Sequence, residues 1–256
     1  MRSLLSPIKF RFLSLLLLCL LHFAVTGQTL RVAVAANAQF VADSLKEVYQ
    51  KNHPVKIDLI VGSSGKLTAQ ITNGAPYDIF LSADMTYPEN IYKAGAALTK
   101  NREYAAGKLV VWTLKKDGIS HLNDLQSSSI QTIAVANPKL APYGIATITA
   151  LKKLGLYEAV KSKIVYAESI SQVNQYLLTG AADLAFTAKS IVRSPEYLHK
   201  GYWTEVPANL YQPIEQGVIL LKHAKQSNLK AAQEFYQFLF SPAAKAIFEY
   251  FGYQVR

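Results

Sequence analysis

Short apolar runs alternate with amphipathic stretches along most of this chain. The run over residues 30–36, apolar apart from Arg31, predicts a buried strand, because a strand covered on both faces needs apolar residues at successive positions. Phe40, Val41, Leu45 and Val48 then recur at the spacing of one helix face. This alternation predicts an α/β protein whose sheets are parallel or mixed and carry helices on both faces.

The same reasoning places the other elements. Further strands are predicted over 57–61, 78–82, 108–114 and 216–221, and further helices over 87–94, 145–154, 229–240 and 242–250. Glycines such as Gly74 and Gly155 are predicted to end helices. The strands over 108–114 and 216–221 have no strand–helix–strand partner of their own, so we expect them to be the crossings between two lobes.

Two segments of the chain occur twice. Residues 33–37 recur as 134–138 and residues 73–80 recur as 179–186, at similar offsets of 101 and 106 residues. Both copies keep the order strand, turn, helix, glycine, Asp, strand. The duplication predicts two similar lobes, and a cleft between lobes is a common place for a small ligand.

We therefore predict two similar lobes, each a mixed, mostly parallel sheet flanked by helices, joined by a hinge that the chain crosses twice. Lobe one is predicted to be discontinuous, formed by residues 28–107 and 214–256. Lobe two is predicted over 108–213. The C-terminal helices are expected to return and cover lobe one.

Residues 1–27 have the pattern of a secretory signal peptide. Three basic residues precede an apolar run over 12–21, and we place the cleavage before Gln28. An uncleaved anchor is the alternative, although the run is shorter than the ~20 apolar residues of a membrane span. The single cysteine, Cys19, lies in this segment, so the mature chain is expected to hold no disulfide and no thiolate site.

The charge of the chain argues against a nucleic-acid binder. The formal net charge is +10, but the basic residues are spread out, and no run is longer than two. A nucleic-acid-binding protein would concentrate them on one element or face. A solvated basic surface fits better, and its field would favour an anionic ligand.

Strong catalytic and metal motifs are missing from the sequence. No two of the five histidines have zinc-ligand spacing, and no Gly-x-Ser-x-Gly elbow occurs. The stretch 62–68 fails as a phosphate loop, because Ile60 replaces the first glycine and Leu67 replaces the Ser or Thr.

What remains is a set of strand-to-helix turns with small hydroxyl or amide residues, at 36–37, 63–65, 143–144 and 169–171. A helix start leaves backbone N–H groups unpaired and carries a partial positive charge, so it can bind an anion. Taken one at a time, Asn and Ser at such positions are usually only helix caps. Asn37 in particular is a candidate N-cap. Two turns from each lobe, facing one cleft, would bind a compact oxyanion through neutral donors.

The ordered motifs Ala35-Ala36-Asn37, Gly62-Ser63-Ser64-Gly65-Lys66-Leu67, Gly74-Ala75-Pro76-Tyr77-Asp78-Ile79-Phe80-Leu81-Ser82-Ala83-Asp84 and Pro142-Tyr143-Gly144 resemble those of the periplasmic molybdate-binding proteins of ABC importers. The stretch that starts at Gly74 is the most specific. The resemblance covers residues 29–256 and implies the type II periplasmic binding protein fold.

The resemblance also implies which residues hold the ligand. Asn37 and Ser64 in lobe one and Tyr143 and Ile170 in lobe two correspond to the family's oxyanion contacts, Ile170 through its backbone N–H alone. Additional contacts are expected from the following positions: Ala36, Ser63 and Thr187. Thr187 stands where some members supply a Tyr hydroxyl. The only metal is the one inside the oxyanion, with no protein ligand to it.

A family member of this kind would capture molybdate or tungstate in the periplasm and pass it to an ABC permease in the inner membrane. The resemblance implies a monomer with no cofactor, no nucleic-acid partner and no enzymatic activity.

Two alternatives stay open. One is a binding protein for sulfate, phosphate or a small organic anion. The other is an enzyme on the same scaffold, with Asp78, Asp84 and Asp183 as its candidate acids. Asp78 and Asp183 occupy equivalent repeat positions at strand starts, so they also fit a structural role as caps.

Overall fold

The computed structural model describes residues 29–116 and 121–255 of the chain. The predicted signal peptide over 1–27, its cleavage point before Gln28 and Cys19 lie outside the described residues. Within those two ranges, no helix is long and apolar enough to cross a membrane.

Strands and helices alternate along both ranges, as the apolar pattern predicts. The strands are β1 (Leu30–Ala35), β2 (Ile57–Gly62), β3 (Ile79–Leu81), β4 (Arg102–Gly107), β5 (Leu109–Thr113), β6 (Ile133–Ala136), β7 (Ile164–Ala167), β8 (Leu184–Ala188), β9 (Tyr202–Glu205) and β10 (Ile214–Leu220). The helices are α1 (Gln39–Gln50), α2 (Ser64–Thr72), α3 (Thr86–Lys93), α4 (Pro142–Lys153), α5 (Tyr157–Val160), α6 (Ile170–Leu178), α7 (Lys189–Val192), α8 (Leu229–Phe238) and α9 (Pro242–Tyr250). A 3-10 turn, Ala36–Ala38, leads directly from β1 into α1.

The described strands form two sheets of the same design. Sheet one has the order β2-β1-β3-β10-β4 and sheet two the order β7-β6-β8-β5-β9. In each sheet the first three strands are mutually parallel, and the fourth is antiparallel to both of its neighbours. Four of five strands in each sheet therefore run the same way, which confirms the predicted mixed, mostly parallel architecture.

The repeated segments of the sequence occupy equivalent places in the two sheets. β1 and β6 are second in the strand order, and β3 and β8 are third. The helices before β3 and β8 both end at a glycine with positive φ, Gly74 at 85° and Gly180 at 75°. Residues with a side chain rarely adopt this left-handed conformation, so glycine marks the end of both helices.

Side chains from sheet one alternate between two apolar clusters, one on each face. Val32 and Val34 pack with α1 and with the C-terminal helices α8 and α9. Ala33 and Phe80 pack on the opposite face against α2 and α3. Successive side chains of a strand point to opposite faces, so β1, whose residues are apolar and buried apart from Arg31, must be covered on both. The expected return of the C-terminal helices to lobe one is confirmed.

The two strands predicted as interlobe crossings are instead held inside the sheets. β5 lies between β8 and β9, and β10 lies between β3 and β4. A strand hydrogen-bonded along both edges cannot flex as a hinge, so that part of the prediction is wrong. The chain passes between the sheets at Lys108 and returns in the segment 206–213. We propose these two connections as the hinge and as the boundaries of the lobes.

The apolar pattern did not predict three of the strands: β4, β7 and β9. Each lies at the edge of its sheet, and the burial patterns of β7 and β9 are mixed rather than continuous. An edge strand needs no unbroken apolar run, since one side lacks a partner and charged residues discourage unwanted pairing there. Apolar periodicity is therefore a weak signal for such strands.

Candidate functional site

The predicted turns of the two lobes meet at one small cavity between the sheets. Its wall is formed by small, apolar, hydroxyl and amide residues: Ala35, Ala36, Asn37, Ser63, Ser64, Ala83, Ala141, Pro142, Tyr143 and Ile170. Six of the seven residues expected from the sequence are in this set. The cavity volume is about 10 Å³, roughly the room that one water-sized sphere requires. Pockets for organic ligands usually exceed ~300 Å³, so this cavity is far smaller than those.

Ser64 is the first residue of α2 and is 1% exposed. Its Oγ accepts a hydrogen bond of 3.0 Å from the backbone N–H of Ala83, which leaves the hydroxyl hydrogen free to donate to a ligand. The preceding residue, Ser63, caps the helix by accepting from Lys66 N at 3.3 Å. The backbone N–H of Ser64 has no acceptor within the helix. Ser64 can therefore offer two donors at one point.

Asn37 is not the N-cap of α1 that the sequence suggested. It lies inside the 3-10 turn rather than capping α1, whose preceding residue, Ala38, makes no side-chain cap. The Asn37 Nδ2 donates to Gln216 Oε1 at 2.7 Å and to Tyr253 Oη at 3.0 Å. Both amide hydrogens are thus used within lobe one. The donors that this segment can offer an anion are the backbone N–H groups of the turn.

In lobe two, α4 and α6 begin at the cavity. Tyr143 is the second residue of α4 and Ile170 is the first of α6, so neither N–H has an acceptor within its helix. Ser169 caps α6 by accepting from Gln172 N at 3.4 Å. Both predicted lobe-two contacts are in a position to act through the backbone.

The hydroxyl of Tyr143 lies beside Gly107, the last residue of β4, and the Asn37 side chain is near it. A methyl group placed on Gly107 would lie well under 3.0 Å from Tyr143 Oη. This hydroxyl is buried and has no hydrogen-bond partner within the described part of the chain. Burial, with Tyr253 and Tyr104 nearby, holds the pKa of Tyr143 well above its ordinary value, so the hydroxyl stays neutral.

The electrostatics of the cavity come from backbone dipoles. None of the ten wall residues is charged, while three helices, α2, α4 and α6, start there. Each helix N-terminus carries a partial positive charge of about half an elementary charge. Because the helix dipoles converge, an anion is stabilised without a cationic side chain.

The lobes contact each other directly beside the cavity. The N–H of Gly65 donates to Leu140 O at 2.9 Å, and Lys66 Nζ lies 3.0 Å from a carboxylate oxygen of Glu168. A side chain at position 65 would meet Tyr87 Oη at 2.9 Å and Leu140 backbone atoms at 3.1 Å. Glycine at this position allows the two lobes to approach closely at the start of α2.

A family model described as bacterial extracellular solute-binding protein matches residues 30–254. The molybdate-binding protein ModA of Azotobacter vinelandii is 38% identical over 236 residues, which are 91% of this chain and 93% of that protein. This chain belongs to the molybdate-binding family of bacterial solute-binding proteins. ModA of Rhodobacter capsulatus is 35% identical over 231 residues, 90% of this chain and 89% of that protein.

The fold agrees with this family. The solved structure of the Azotobacter vinelandii periplasmic molybdate-binding protein superposes with a TM-score of 0.82 at 34% identity, covering 89% of this chain and 99% of that one. The fold class and the family inferred from the sequence are therefore confirmed. The contact residues themselves stay predictions, now with defined geometry.

Thr187 is the one expected contact that does not line the cavity. It is fully buried in β8, and its Oγ1 donates to Asn174 Oδ1 at 2.6 Å. Its hydroxyl hydrogen is thus used inside lobe two, and a contact from Thr187 to a ligand stays a prediction.

Four wall residues were not predicted from the sequence: Ala35, Ala83, Ala141 and Pro142. Alanine carries no functional group, so its only role here is to let the backbone and the neighbouring donors come close. Ala83 was present in the most specific family motif. Its contribution, an N–H that orients Ser64, could not be inferred without the structure.

The three acids considered for an enzyme have structural roles. Asp78 Oδ2 accepts from Arg31 N at 2.7 Å, and Asp183 Oδ2 accepts from Gln131 N at 2.8 Å, in each case next to the first strand of the repeat. Asp84 Oδ1 accepts from Tyr87 N at 3.0 Å, before α3. None of the three lines the cavity. The interpretation as caps fits all of them.

The position of the Tyr143 hydroxyl leads to a prediction. Tyr143→Phe should bind the oxyanion as tightly as the unmodified protein, because the contact is made by the backbone. Its stability should be equal or higher, since removing an unpaired buried hydroxyl removes a desolvation cost of ~1–3 kcal/mol. Titration calorimetry and thermal unfolding measure the two effects. A clear loss of affinity would show that the hydroxyl turns into the site.

Proposed function

We propose that this protein captures molybdate or tungstate between its two lobes and delivers it to the permease of an ABC importer. Entry into the periplasm would depend on the predicted signal peptide over 1–27. The observation that carries the proposal is the convergence of three helix N-termini and the Ser64 hydroxyl on one cavity without charged side chains. In this function the protein acts as a monomeric receptor, without catalysis, cofactor or nucleic acid, and molybdenum stays inside its oxyanion.

The donor set favours a fully ionised oxyanion. Every group that the cavity offers at Ser64, Tyr143 and Ile170 is a hydrogen-bond donor, and a fully ionised ligand needs only donors. Phosphate is still protonated near neutral pH and would need an acceptor such as a carboxylate, which the wall lacks. An organic anion would need more room than this cavity has.

Sulfate is also a fully ionised tetrahedral anion, so it is the serious competitor. It is smaller than molybdate, and a donor shell sized for the larger ion leaves sulfate with long hydrogen bonds. Donors that are buried and poorly paired cost ~1–3 kcal/mol each. Molybdate and tungstate have nearly the same size, so fixed donors should barely distinguish them.

Calorimetry of the purified mature protein tests the proposal. We expect one site for molybdate and tungstate, with affinity at least ~100-fold above that for sulfate, a difference of ~2.7 kcal/mol. Phosphate should show no binding in the same range. Sulfate binding as tight as molybdate binding would contradict the assignment.

Ser64→Ala should weaken molybdate binding by ~1–3 kcal/mol, because a hydrogen bond to a charged oxygen is lost. The variant also leaves the buried N–H of Ala83 without its acceptor, so some loss of stability is expected as well. Thr68→Ala is the matched control, since Thr68 lies on the same helix and donates only to Ser64 O. If Ser64→Ala binds molybdate as tightly as Thr68→Ala does, Ser64 is not a contact.

A further inference from the structure

The side chain of Gln216 lies in the middle of a buried polar cluster beside the cavity. It belongs to β10 and is 0% exposed. The pairing of β10 with β4 shifts register between Gln216 and Gly217. Such an irregularity redirects side chains locally and is common next to functional sites. Gln216 itself is not among the residues that line the cavity.

The amide of Gln216 is hydrogen-bonded through both its oxygen and its nitrogen. Oε1 accepts from Asn37 Nδ2 at 2.7 Å and from Tyr104 Oη at 3.5 Å. Nε2 donates to Ile214 O at 2.9 Å and to Ala83 O at 3.2 Å. Both donor hydrogens of the amide are therefore used, and its oxygen has one short bond, from Asn37, since the single hydrogen of Tyr104 Oη is shared with Ser82 O at 3.4 Å.

These bonds connect both lobe-one segments of the site. Asn37 belongs to the turn before α1, and Ala83 follows β3. The N–H of Ala83 in turn donates to the Oγ of Ser64. One buried side chain thus holds the 3-10 turn directly and orients the Ser64 hydroxyl through one intermediate residue.

We propose that Gln216 is a positioning residue of the anion site: it fixes Asn37 and Ala83 relative to each other, and so presets the lobe-one donors. This inference rests on the proposed function. A ligand held by fixed donors gains affinity because the donors lose no freedom on binding. The bonds that Gln216 makes to Asn37, Ile214 and Ala83 are buried, which favours a fixed arrangement.

A neutral amide is the side chain that this position requires. Leucine has a similar size but would leave one hydrogen of the Asn37 amide and the Ala83 carbonyl without the partners that Gln216 provides. A carboxylate would still accept from Asn37, yet its second oxygen would face the carbonyl oxygens of Ile214 and Ala83. Glutamine alone satisfies both sides without adding a negative charge near the anion.

The test is a double-mutant cycle measured by molybdate calorimetry. Gln216→Leu should weaken binding at least ~10-fold in the otherwise unmodified protein, a change of ~1.4 kcal/mol. In the Asn37→Ala background the same change should cost at most ~3-fold, because residues that act through each other are non-additive. A purely structural role would lower stability in both backgrounds without this coupling.

Thr113→Val is the control for general loss of a buried polar group. Thr113 is buried in lobe two, where its Oγ1 donates to Asp183 O and accepts from Lys115 N. It should lower the unfolding midpoint and leave the molybdate affinity within ~2-fold, since sites without shared partners behave independently. For a similar fall in the unfolding midpoint, Gln216→Leu should lose much more molybdate affinity than Thr113→Val.

Gln216→Glu provides a second readout if the leucine variant does not fold. Burial raises the pKa of a carboxyl group, so lowering the pH from 8 to 6 should protonate the new side chain and restore binding. The neighbouring tyrosines do not titrate in this range, because burial raises the pKa of Tyr253 to about 12 and those of Tyr104 and Tyr143 well above their ordinary values.

The outcomes separate this inference from the proposed function. Suppose that the unmodified protein binds molybdate. If Gln216→Leu then binds it equally well, or weakens binding by the same factor in the Asn37→Ala background as in the unmodified protein, the positioning role is wrong and the proposed function stands. A flat pH profile for Gln216→Glu has the same meaning. If the unmodified protein binds neither molybdate nor tungstate, both are overturned.

Discussion

Gly144→Ala is expected to lower molybdate affinity at least ~10-fold and to destabilise the protein by ~1–3 kcal/mol, the usual cost of overpacking. A Cβ at this position would lie under 3.0 Å from the carbonyl group of Ala136 and from Pro138 N. All of these are backbone atoms, which cannot rotate away as a side chain can. The start of α4 must therefore shift, and the N–H of Tyr143, one residue earlier, shifts with it.

Gly155→Ala, after the other end of the same helix, is the control. A Cβ there meets no atom within 4 Å, but the φ of Gly155 is 70°. The substitution should cost ~1 kcal/mol for a left-handed backbone with a side chain and leave the affinity unchanged. Calorimetry and thermal unfolding of both variants separate the two effects. If Gly144→Ala binds molybdate normally, α4 does not contribute to the site through its first turn.

Asp78→Ala should destabilise the protein by ~3–5 kcal/mol, because it breaks a buried charged cluster and leaves its partners unpaired. Asp78 is 0% exposed. Its carboxylate accepts from Arg31 N at 2.7 Å, from His223 Nδ1 at 2.8 Å and from the hydroxyl of Ser227. Since none of these groups lines the cavity, the fraction of Asp78→Ala that folds should keep its molybdate affinity.

Asp183→Ala is the matched variant in the repeat of lobe two. Asp183 caps the N–H groups of Gln131 and Thr132, but its side chain is partly exposed, so a smaller loss is expected. The hydrogen bond from Lys115 lowers the pKa of Asp183. A lowered pKa stabilises the fold above the unfolded value of ~3.9, and this contribution is lost as pH falls through the folded pKa.

Urea unfolding of the two Asp variants at pH 7 and below pH 4 measures these differences. The gap between Asp183→Ala and the unmodified protein should shrink in acid. Asp78→Ala should remain the less stable of the two variants at pH 7. Equal losses at pH 7 would show that burial does not distinguish the two copies of this motif.

Local signals were sufficient for much of the fold. From Val32 to Ala35, β1 is buried on both faces, so its apolar character is continuous there and easy to recognise. Glycine ends the helices before β3 and β8 because the left-handed conformation is local to one residue. The edge strands β4, β7 and β9 escaped prediction because half-exposed strands need no continuous apolar run.

The location of the candidate site was also predictable, because a helix start is a local feature. The turns at Ser64, Tyr143 and Ile170 follow strands whose ends meet at one edge of each sheet. Capping and turn residues at these positions are determined by neighbours a few residues away. The repeat then indicated that two such edges face each other.

The sequence alone thus indicated two repeated lobes, the order of their elements and the helix starts that meet in the cleft. Which donors are free depends on contacts that no local pattern contains. Asn37 uses its amide on Gln216 and Tyr253, which are 179 and 216 residues away. Thr187 uses its hydroxyl on Asn174, and Tyr143 places its hydroxyl against Gly107. A donor bonds to whichever acceptor folding brings within reach. These acceptors come close only when both sheets and the C-terminal helices are packed.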